Sequence, residues 1–316
     1  MISSWIGQCL SVQAPRAVVM VRPHAFTPNP QTAADNSFQH HAPTLDAQAV
    51  SQQARGEFDA AVRQLQAAGV TVHVFDDGGE RDTPDSVFPN NWFSTHAGGH
   101  VALYPMYSPN RRRERRSDVI EMLKQRYRVQ DVIDYSGLEP DGLFLEGTGA
   151  MVLDHVCRVA YVCRSNRAHP VMLERFATHF NYEPMVFDAL DAQGQAIYHT
   201  NVLMCIATDC VLIGLDCIAD AARREQVHQR LLESGRDVIA LSAEQIAQFC
   251  GNAMELTGHN GRVLALSSRA LKALRADQIT RIERSTRLLP LNIPTIELAG
   301  GSVRCMLAGL HLSPRI

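Results

Sequence analysis

The chain has 316 residues, enough for one large domain or two ordinary domains with a sizeable buried core. Hydrophobic residues make up 46% of it and charged residues 20%, which is typical of globular proteins. The net charge of -3 gives no basic surface for nucleic acid or anionic lipid. No apolar run approaches the ~18 residues of a membrane span. We therefore expect neither nucleic acid nor a membrane as a partner.

The start of the chain and its cysteines predict a cytoplasmic protein. Residues Met1 to Trp5 lack the positive charge and the long apolar stretch of a secretion signal. The eight cysteines follow no framework spacing, which indicates reduced thiols. No CxxC pair or HExxH helix is present, so we expect neither a metal nor an organic cofactor.

The first predicted elements follow a short N-terminal extension, residues 1–15. Ala17 to Val21 is an apolar run typical of a buried strand. A polar loop from His24 to Pro43 leads to a helical pattern from Ala47 to Ala68, closed by a glycine. Val70 to Phe75 then predicts another strand.

Four further sets of elements follow, and each set repeats the order strand, strand, helix, strand. The predicted sets are Val87 to Thr95, His100 to Tyr104, helix Arg111 to Tyr127 and Val129 to Tyr135; Leu143 to Leu153, Cys157 to Cys163, helix Ala168 to Asn181 and Pro184 to Asp188; Ala196 to Ala207, Cys210 to Leu215, helix Asp220 to Ser234 and Asp237 to Leu241; Ala253 to Thr257, Val263 to Ser267, helix Arg269 to Thr286 and a terminal strand before Cys305.

This recurrence predicts a closed array of small sheets. Five ββαβ units with a helix-to-helix interval of roughly 50–60 residues are typical of a radial or solenoid repeat. Each unit is too small to bury its own sheet, and a closed ring removes exposed strand edges while leaving a central channel. We therefore predict one α/β domain over residues 1–316. A doubly wound sheet is the rival fold, but the paired strands before each helix argue against it.

A cysteine near the C-terminus is the candidate nucleophile. A predicted strand from Ile293 to Leu298 runs into a Gly300-Gly301 turn, and Cys305 follows. Most cysteines are small buried hydrophobes, so this reading depends on the other reactive residues of the chain. A thiol on a tight turn with backbone amides nearby is suited to covalent catalysis.

Reactive residues occupy the same region, on or beside the first strand, in the other units. Asp85, Glu146 and His199 lie there, whereas the loop of the first unit contributes Asn36. Asp85 has an alternative interpretation as a turn residue and His199 as a core histidine. Taken together with Cys305, they supply a nucleophile, an acid–base group and two carboxylates that hold N–H groups.

The ordered set of stretches resembles the guanidino-group-modifying enzymes, or pentein superfamily. Its members include arginine deiminases, dimethylarginine dimethylaminohydrolases and amidinotransferases, and the likeness is greatest to bacterial citrulline-utilisation hydrolases. The resemblance implies a five-bladed α/β propeller of ββαβ units, as the repeat predicts. The matching stretches are Asp85 to Phe88, Tyr104 to Glu114, Leu145 to Gly147, His199 to Asn201 and Gly300 to Met306.

The resemblance also implies a role for each matching residue. Asp85 grips the substrate's N–H groups, Glu146 orients the histidine and contacts the substrate, His199 is the general acid–base and Cys305 is the nucleophile. Arginines hold the α-carboxylate of a small amino-acid substrate. The matching candidates are Arg111 or Arg112, and Arg164 or Arg167. In the loop from Asn29 to Phe38, Asn36 and Phe38 are candidates for further substrate contacts.

One departure from the family pattern bears on the substrate. Arginine deiminases have His-x-Asp where this chain has His199-Thr200-Asn201. Because asparagine is neutral, a site with one anion fewer should prefer a ureido group to a guanidinium. We therefore predict hydrolysis of citrulline to ornithine, ammonia and carbon dioxide through a covalent Cys305 intermediate.

Several alternatives stay open at the level of the sequence. An arginine or methylarginine deiminase-type hydrolase and an amidinotransferase would use the same residues. A non-catalytic propeller that serves as a binding module would have no reason to place four reactive residues at matching points. The sequence also allows a homo-oligomer.

Overall fold

The computed structural model describes residues 12–40 and 46–315. Most of the predicted N-terminal extension, and residues 41–43 of the predicted loop, therefore lie outside the described residues. None of the helices in these two ranges combines the length and the apolar composition needed to cross a bilayer.

The described strands form five sheets of three strands with one shared plan. In each sheet the middle strand pairs antiparallel with one neighbour and parallel with the other. In sheet order, the strands are β15 (Ala308–Gly309), β1 (Ala17–Arg22) and β2 (Thr71–Asp76); β3 (Phe93–His96), β4 (His100–Leu103) and β5 (Asp131–Asp134); β6 (Met151–Asp154), β7 (Val159–Cys163) and β8 (Glu183–Phe187); β9 (Met204–Ile206), β10 (Cys210–Ile213) and β11 (Asp237–Ala240); β12 (Met254–Gly258), β13 (Gly261–Ser267) and β14 (Arg287–Leu291).

One or two helices connect the parallel strands of each sheet, and shorter helices lie elsewhere. The connecting helices are α1 (Ala47–Ala67), α2 (Ser117–Arg126), α4 (Pro170–Phe180), α6 (Ala221–Leu232), and the pair α8 (Ser268–Ala273) and α9 (Ala276–Ile282). The others are α3 (Gly147–Ala150), α5 (Thr200–Leu203), α7 (Ala243–Ala247) and α10 (Val303–Met306).

Helix α1 shows how the sequence fixes such a connection. The Asp46 carboxylate accepts from the backbone N–H of Ala49 at 2.7 Å, which satisfies one of the free donors of the first turn. Its buried residues recur every three or four positions and pack into the core beside β1, whose apolar residues are buried on both faces. The buried positions of α1 are Val50, Ala54, Phe58, Ala61, Val62 and Leu65.

Three predicted first strands are wrong in their N-terminal halves. The apolar run from Val87 begins with a 3-10 turn, Pro89–Asn91, and only then becomes β3. The run from Leu143 includes α3 before β6, and the run from Ala196 includes α5 before β9. A short apolar run has the same pattern in a buried strand and in a buried turn, so hydrophobicity alone could not separate them.

The predicted C-terminal strand is also wrong. Residues Ile296–Ala299 form a 3-10 turn, and the last described strand is β15, which pairs with β1. Cys305 lies on the short helix α10, directly before β15. Cys305 therefore belongs to the sheet of the first unit. In that unit the sequence predicts no reactive residue beside the first strand.

Two predicted helices are interrupted. Arg111–Glu114 is a 3-10 turn, and α2 starts only at Ser117 because Arg115 and Arg116 are extended. The helix predicted from Arg269 to Thr286 divides into α8 and α9 at Leu274, whose backbone is extended.

Candidate active site

A small cavity collects the predicted site residues from several sheets. Its volume is about 20 Å³, which is room for about one water molecule. The lining comprises Thr32, Asn36, Asp85, Phe88, Asn91, Arg111, Arg167, Tyr198, His199, Ala299, Gly301 and Cys305. The cysteine, the histidine and one of the two predicted carboxylates thus face one space.

Cys305 is presented to this cavity by a tight glycine turn. Gly300 has a positive φ of 79°, which favours glycine. A Cβ at Gly301 would lie 2.9 Å from the Phe88 ring, so the turn can pack this closely only without a side chain. The residue is 2% exposed, and its sulfur accepts hydrogen bonds from the side-chain amides of Asn201 and Asn252, each at 3.2 Å.

His199 is held by Glu146. Its Nε2 lies 2.9 Å from Glu146 Oε2, and both side chains are buried. Burial lowers the pKa of His199 to about 4, although the Glu146 carboxylate opposes this shift. The imidazole is therefore neutral at pH 7, with Nε2–H donating to the carboxylate and a lone pair on Nδ1. That lone pair can accept a proton.

Glu146 is an ionised carboxylate although it is fully buried. Burial favours its neutral form, but Arg167, His199 and Arg111 together hold the pKa of Glu146 well below its usual range. The nearest guanidinium nitrogens lie 3.5 Å away for Arg167 and 3.8 Å away for Arg111. The backbone N–H of Tyr107 also donates to it, at 3.0 Å.

Asp85 lies in a buried turn before β3, and only one of its two carboxyl oxygens accepts a hydrogen bond among the described residues. Its Oδ2 accepts from Asn29 at 2.8 Å, and Arg111 Nε is 3.7 Å away. Its Oδ1 is buried and has no hydrogen-bond partner among the described residues. Burial raises the pKa of Asp85, with Arg111 opposing the shift. This carboxyl group therefore offers a free acceptor beside the cavity.

Arg111 is fixed by a bidentate pair with Glu114. Its Nε and Nη2 each donate to a Glu114 oxygen at 2.9 Å. Burial raises the pKa of Glu114 to about 7 even though Arg111 opposes the shift. Asn91, with its side-chain oxygen turned towards the guanidinium, accepts from Arg111 at 2.9 and 3.1 Å.

Arg167 is the second guanidinium at the cavity. Its Nη2 pairs with Asp35 Oδ1 at 2.5 Å, and its guanidinium lies 4.9 Å from the centre of the Tyr198 ring. Asp35 belongs to the loop after β1, so this ion pair connects that loop to the floor of the cavity.

The other two candidate arginines do not line the cavity. Arg112 donates from Nε to the backbone oxygen of Met106 and from Nη2 to that of Tyr107. Arg164 pairs with Asp188 on the surface, where its side chain is 58% exposed. The structure thus retains Arg111 and Arg167 from the predicted set.

The remaining predicted residues differ in their relation to the cavity. Asn36 lines it, but its amide is engaged with the backbone oxygen of Ala299 and the backbone N–H of Phe38. The Phe38 ring packs on the rings of Tyr198 and Phe249 and is not part of the lining. Asn201 is not part of the lining either, because it contacts the sulfur from the protein side.

Sequence reasoning missed several residues of the site. Asn252 precedes the first strand of its sheet, as Glu146 and His199 precede theirs, and that shared position could have identified it. Tyr198 donates to the backbone oxygen of Gly300 at 2.5 Å and so joins the histidine segment to the cysteine turn. Asp35 gave no local signal, since a loop aspartate is usually solvated.

This combination of small ββαβ sheets with a cysteine, a histidine and carboxylates at one cavity defines the class of the protein. It is a member of the pentein superfamily of guanidino-group-modifying enzymes. The family model described as N,N dimethylarginine dimethylhydrolase, eukaryotic, matches residues 22–312, and the chain belongs to that family. It is a hydrolase of C–N bonds in amidino-type groups. No curated protein sequence matches the chain.

Solved structures share the fold at low sequence identity. A substrate-bound variant of the N-terminal domain of ArgZ, an arginine dihydrolase from Cyanobacteria, has a TM-score of 0.71 at 15% identity, covering 92% of this chain and 96% of that one. Unliganded AgrE has a TM-score of 0.73 at 16% identity, covering 95% of this chain and 40% of that one. DDAH from Pseudomonas aeruginosa, complexed with citrulline, has a TM-score of 0.62 at 13% identity, covering 94% and 99%.

Proposed function

We propose that the protein hydrolyses the ureido group of citrulline to ornithine, ammonia and carbon dioxide, with Cys305 as nucleophile. The observation behind this choice is the charge balance at the cavity. Arg111 lies 3.7 Å from Asp85 and 3.8 Å from Glu146, and Arg167 lies 3.5 Å from Glu146. Arg111 also pairs with Glu114 and Arg167 with Asp35. Burial raises the pKa of Asp85, which weakens its negative charge. A neutral ureido group therefore suits this site better than a guanidinium, which needs an ionised carboxylate beside it.

The proposed chemistry uses the groups that face the cavity. The Cys305 sulfur attacks the ureido carbon while Asp85 Oδ1 accepts a substrate N–H group. His199, neutral and held by Glu146, takes up a proton, from the thiol or from water, and passes it to the departing nitrogen, which leaves as ammonia. His199 then deprotonates the water that cleaves the thio-intermediate, and the carbamate so released loses carbon dioxide to give ornithine. The backbone N–H of Gly301 helps to stabilise the tetrahedral adduct, since that of Gly300 already donates to the backbone oxygen of Glu297.

Substrate entry in this proposal requires the loop after β1 to move. A cavity of about 20 Å³ cannot hold an amino acid. Asp35 of this loop occupies the Arg167 guanidinium, which is one of the two remaining candidates to hold the substrate's α-carboxylate. The incoming carboxylate would replace Asp35 at Arg167, and the loop would then close over the substrate.

We also propose that the five sheets are the blades of a closed five-bladed propeller formed by a single domain. The pairing of β15 with β1 joins the two ends of the described chain in one sheet. Contacts between first strands support the same arrangement, since β15 contacts β3, β6 contacts β9 and β9 contacts β12.

A guanidino substrate, arginine or an N-methylated arginine, is the second candidate. The family match favours it, and so does the free Oδ1 of Asp85, which could accept from a guanidinium. With arginine the products would be citrulline and ammonia.

The test is to incubate the purified protein separately with citrulline, arginine, dimethylarginine and agmatine, and to measure ornithine, citrulline and ammonia. We expect ornithine and ammonia from citrulline. Formation of citrulline from arginine or dimethylarginine, without turnover of citrulline itself, would contradict the citrulline proposal and support a guanidino substrate.

A thiol variant tests the nucleophile itself. Cys305→Ser and Cys305→Ala should abolish turnover while the circular dichroism spectrum and thermal midpoint stay close to those of the parent. Cys157→Ser, at a half-buried cysteine outside the cavity, is the matched control and should keep its activity. Turnover by either Cys305 variant would remove the covalent mechanism.

A further inference from the structure

The hydrogen bonds to the Cys305 sulfur come from two neutral side chains. Asn201 Nδ2 and Asn252 Nδ2 each donate to it at 3.2 Å, and both asparagines are fully buried. Asn201 lies on α5, and Asn252 lies directly before β12, so two different sheets contribute one donor each. We refer to the side chains of Asn201 and Asn252 as the amide pair.

The surroundings of Asn252 fix which end of its amide faces the sulfur. Its Oδ1 accepts from the backbone N–H of Arg304 at 3.0 Å, and its Nδ2 donates to the backbone oxygen of Asn201 at 2.9 Å. Because the oxygen is engaged on one side, the NH₂ group must point to the sulfur. Asn252 therefore connects α5, the start of β12 and the cysteine turn.

No cation among the described residues is hydrogen-bonded to the sulfur, and Arg304, the preceding residue in the chain, interacts with it only through its charge. His199, the acid–base group of the proposed mechanism, has its pKa lowered to about 4 by burial and is neutral at pH 7. A thiolate at this position therefore lacks the imidazolium that often accompanies a reactive cysteine. N–H groups that donate to an anion stabilise it more than they stabilise its neutral form.

We propose that the amide pair is an anion site that stabilises the Cys305 thiolate before the substrate binds, with Asn252 as a positioning residue that acts through Cys305. In the substrate-free protein the thiol proton leaves to water, so His199 stays neutral, and no bond other than S–H is broken in this step. The inference rests on the proposed function, because it assumes that Cys305 is the nucleophile.

The amide pair also gives a new reason for asparagine at position 201. An aspartate there would put a carboxylate within about 3 Å of a thiolate, which like-charge repulsion disfavours. The neutral side chain is thus explained by the sulfur directly, whatever the charge of the substrate group.

The test is the rate of alkylation of Cys305 by iodoacetamide between pH 5 and 9, read for that cysteine by peptide mass spectrometry. At pH 7, Asn201→Asp and Asn252→Asp should alkylate at least about tenfold more slowly than the parent, since only the thiolate reacts. Asn181→Asp, at the exposed end of α4, adds the same charge far from the sulfur and should leave the rate unchanged.

A further variant keeps the test decisive if Asn252→Asp does not fold. Asn201→Ala removes one of the two N–H donors to the sulfur. It breaks no hydrogen bond to Asn201 Oδ1, because that oxygen has no partner among the described residues. It should slow alkylation about threefold to tenfold at pH 7, and its alkylation rate should approach that of the parent at higher pH. Alkylation at the parent rate in these variants would overturn the proposal.

The measurement needs no substrate, so the two proposals fail in different ways. A parent protein that turns over citrulline, with variants that alkylate at the parent rate, contradicts the amide pair alone. Variants that alkylate slowly, in a protein that turns over none of the candidate substrates, support the amide pair and contradict the proposed function.

Discussion

Glu146 contacts the acid–base histidine and both guanidinium groups of the cavity. It fixes the tautomer of His199 and lies within 4 Å of Arg111 and Arg167, as its distances of 2.9, 3.8 and 3.5 Å to these residues show. A carboxylate that orients an imidazole in this way is commonly essential although it does not touch the reacting carbon.

Replacing Glu146 by glutamine should therefore lower kcat by about 10²–10⁴-fold. The amide keeps the volume, but it leaves two buried guanidinium groups with one anion fewer and can donate to His199 Nε2, which reverses the tautomer. Glu255→Gln is the matched control, because Glu255 is equally buried but lies outside the cavity, and its kcat should be unchanged. Steady-state kinetics on citrulline give the comparison. A Glu146→Gln variant with parental kcat would contradict the orienting role.

Gly149 makes room for the His199 ring. A Cβ at this position would lie 2.1 Å from the side-chain amide of Asn91 and 2.8 Å from two atoms of the imidazole. Atoms in real structures essentially never approach so closely, and the imidazole cannot withdraw without losing Glu146.

Gly149→Ala should accordingly reduce activity strongly and destabilise the protein by about 1–3 kcal/mol through overpacking. Gly137→Ala is the control, since a Cβ there meets no atom within 4 Å. Urea unfolding and kcat would be measured on both variants. Parental kcat in Gly149→Ala would show that the imidazole does not have to stay where the structure places it.

Among the elements, α1 contains a glycine that nothing in the structure requires. Gly56 is exposed in the middle of this helix, and a Cβ there would meet no atom within 4 Å. Glycine costs conformational entropy in a helix, and no contact compensates for that cost at this position.

Gly56→Ala should thus raise the free energy of unfolding by about 0.5–1 kcal/mol. The control is Gly235→Ala, which also adds a Cβ in open space but at a φ of +75°, where an alanine is strained. That variant should be destabilised. The two free energies of unfolding, compared by urea titration, should have opposite signs, and equal signs would contradict the argument from backbone conformation.

Long, strongly periodic elements were predictable, and short ones beside the site were not. The sequence pattern of α1 predicted its bounds within one residue, Ala47 to Ala68 against Ala47–Ala67. The turns that hold Glu146, His199 and Cys305 were predicted as strands or glycine turns, although each lies at or on a four-residue helix. Such turns are stabilised by tertiary hydrogen bonds between sheets, which leave no periodic signal.

The residues of the candidate site were likewise predictable from the sequence only in part. Residues recognised by a shared position and by the family resemblance, Asp85, Glu146, His199 and Cys305, all lie at or beside one cavity. The sequence could not separate the four candidate arginines, because no sequence pattern predicts that Arg112 contacts the backbone oxygens of Met106 and Tyr107 or that Arg164 pairs with Asp188. Asn252 shares with Glu146 and His199 its position before a first strand, but its contacts with Asn201, Arg304 and Cys305 join segments distant in the sequence and leave no local pattern.

At the scale of the described molecule, histidines from the first three sheets lie together, with His96 and His155 buried and His311 half-buried. His96 lies on β3, His155 follows β6 and His311 follows β15, and the His155 and His311 rings stack with centres 3.8 Å apart. Burial, reinforced by neighbouring groups that include His311 and Arg158, lowers the pKa of both His96 and His155 well below the usual 6.5. Both are therefore neutral in the folded protein at pH values where they are charged in the unfolded chain.

This difference predicts loss of stability in acid. Below pH 6.5 the unfolded chain binds a proton at each of these histidines and the folded protein does not, so the free energy of unfolding falls as the pH decreases. Asp85 and Glu114 have the opposite sign, because their raised pKa values let the folded state bind protons first. Because Asp85 and Glu114 are present in both proteins, their contribution to the pH dependence cancels when a histidine variant is compared with the parent.

His155→Gln removes one of the histidines and can still bond to Tyr182, which now contacts the ring at 2.9 Å. Between pH 6 and 5, the free energy of unfolding of the variant should fall less steeply than that of the parent, by up to about 1.4 kcal/mol per pH unit. Urea titrations at pH 7.5, 6 and 5 measure the two slopes, and His96→Gln should change the slope in the same direction. Parallel curves for parent and variant would mean that His155 gains its proton as readily in the folded protein as in the unfolded chain.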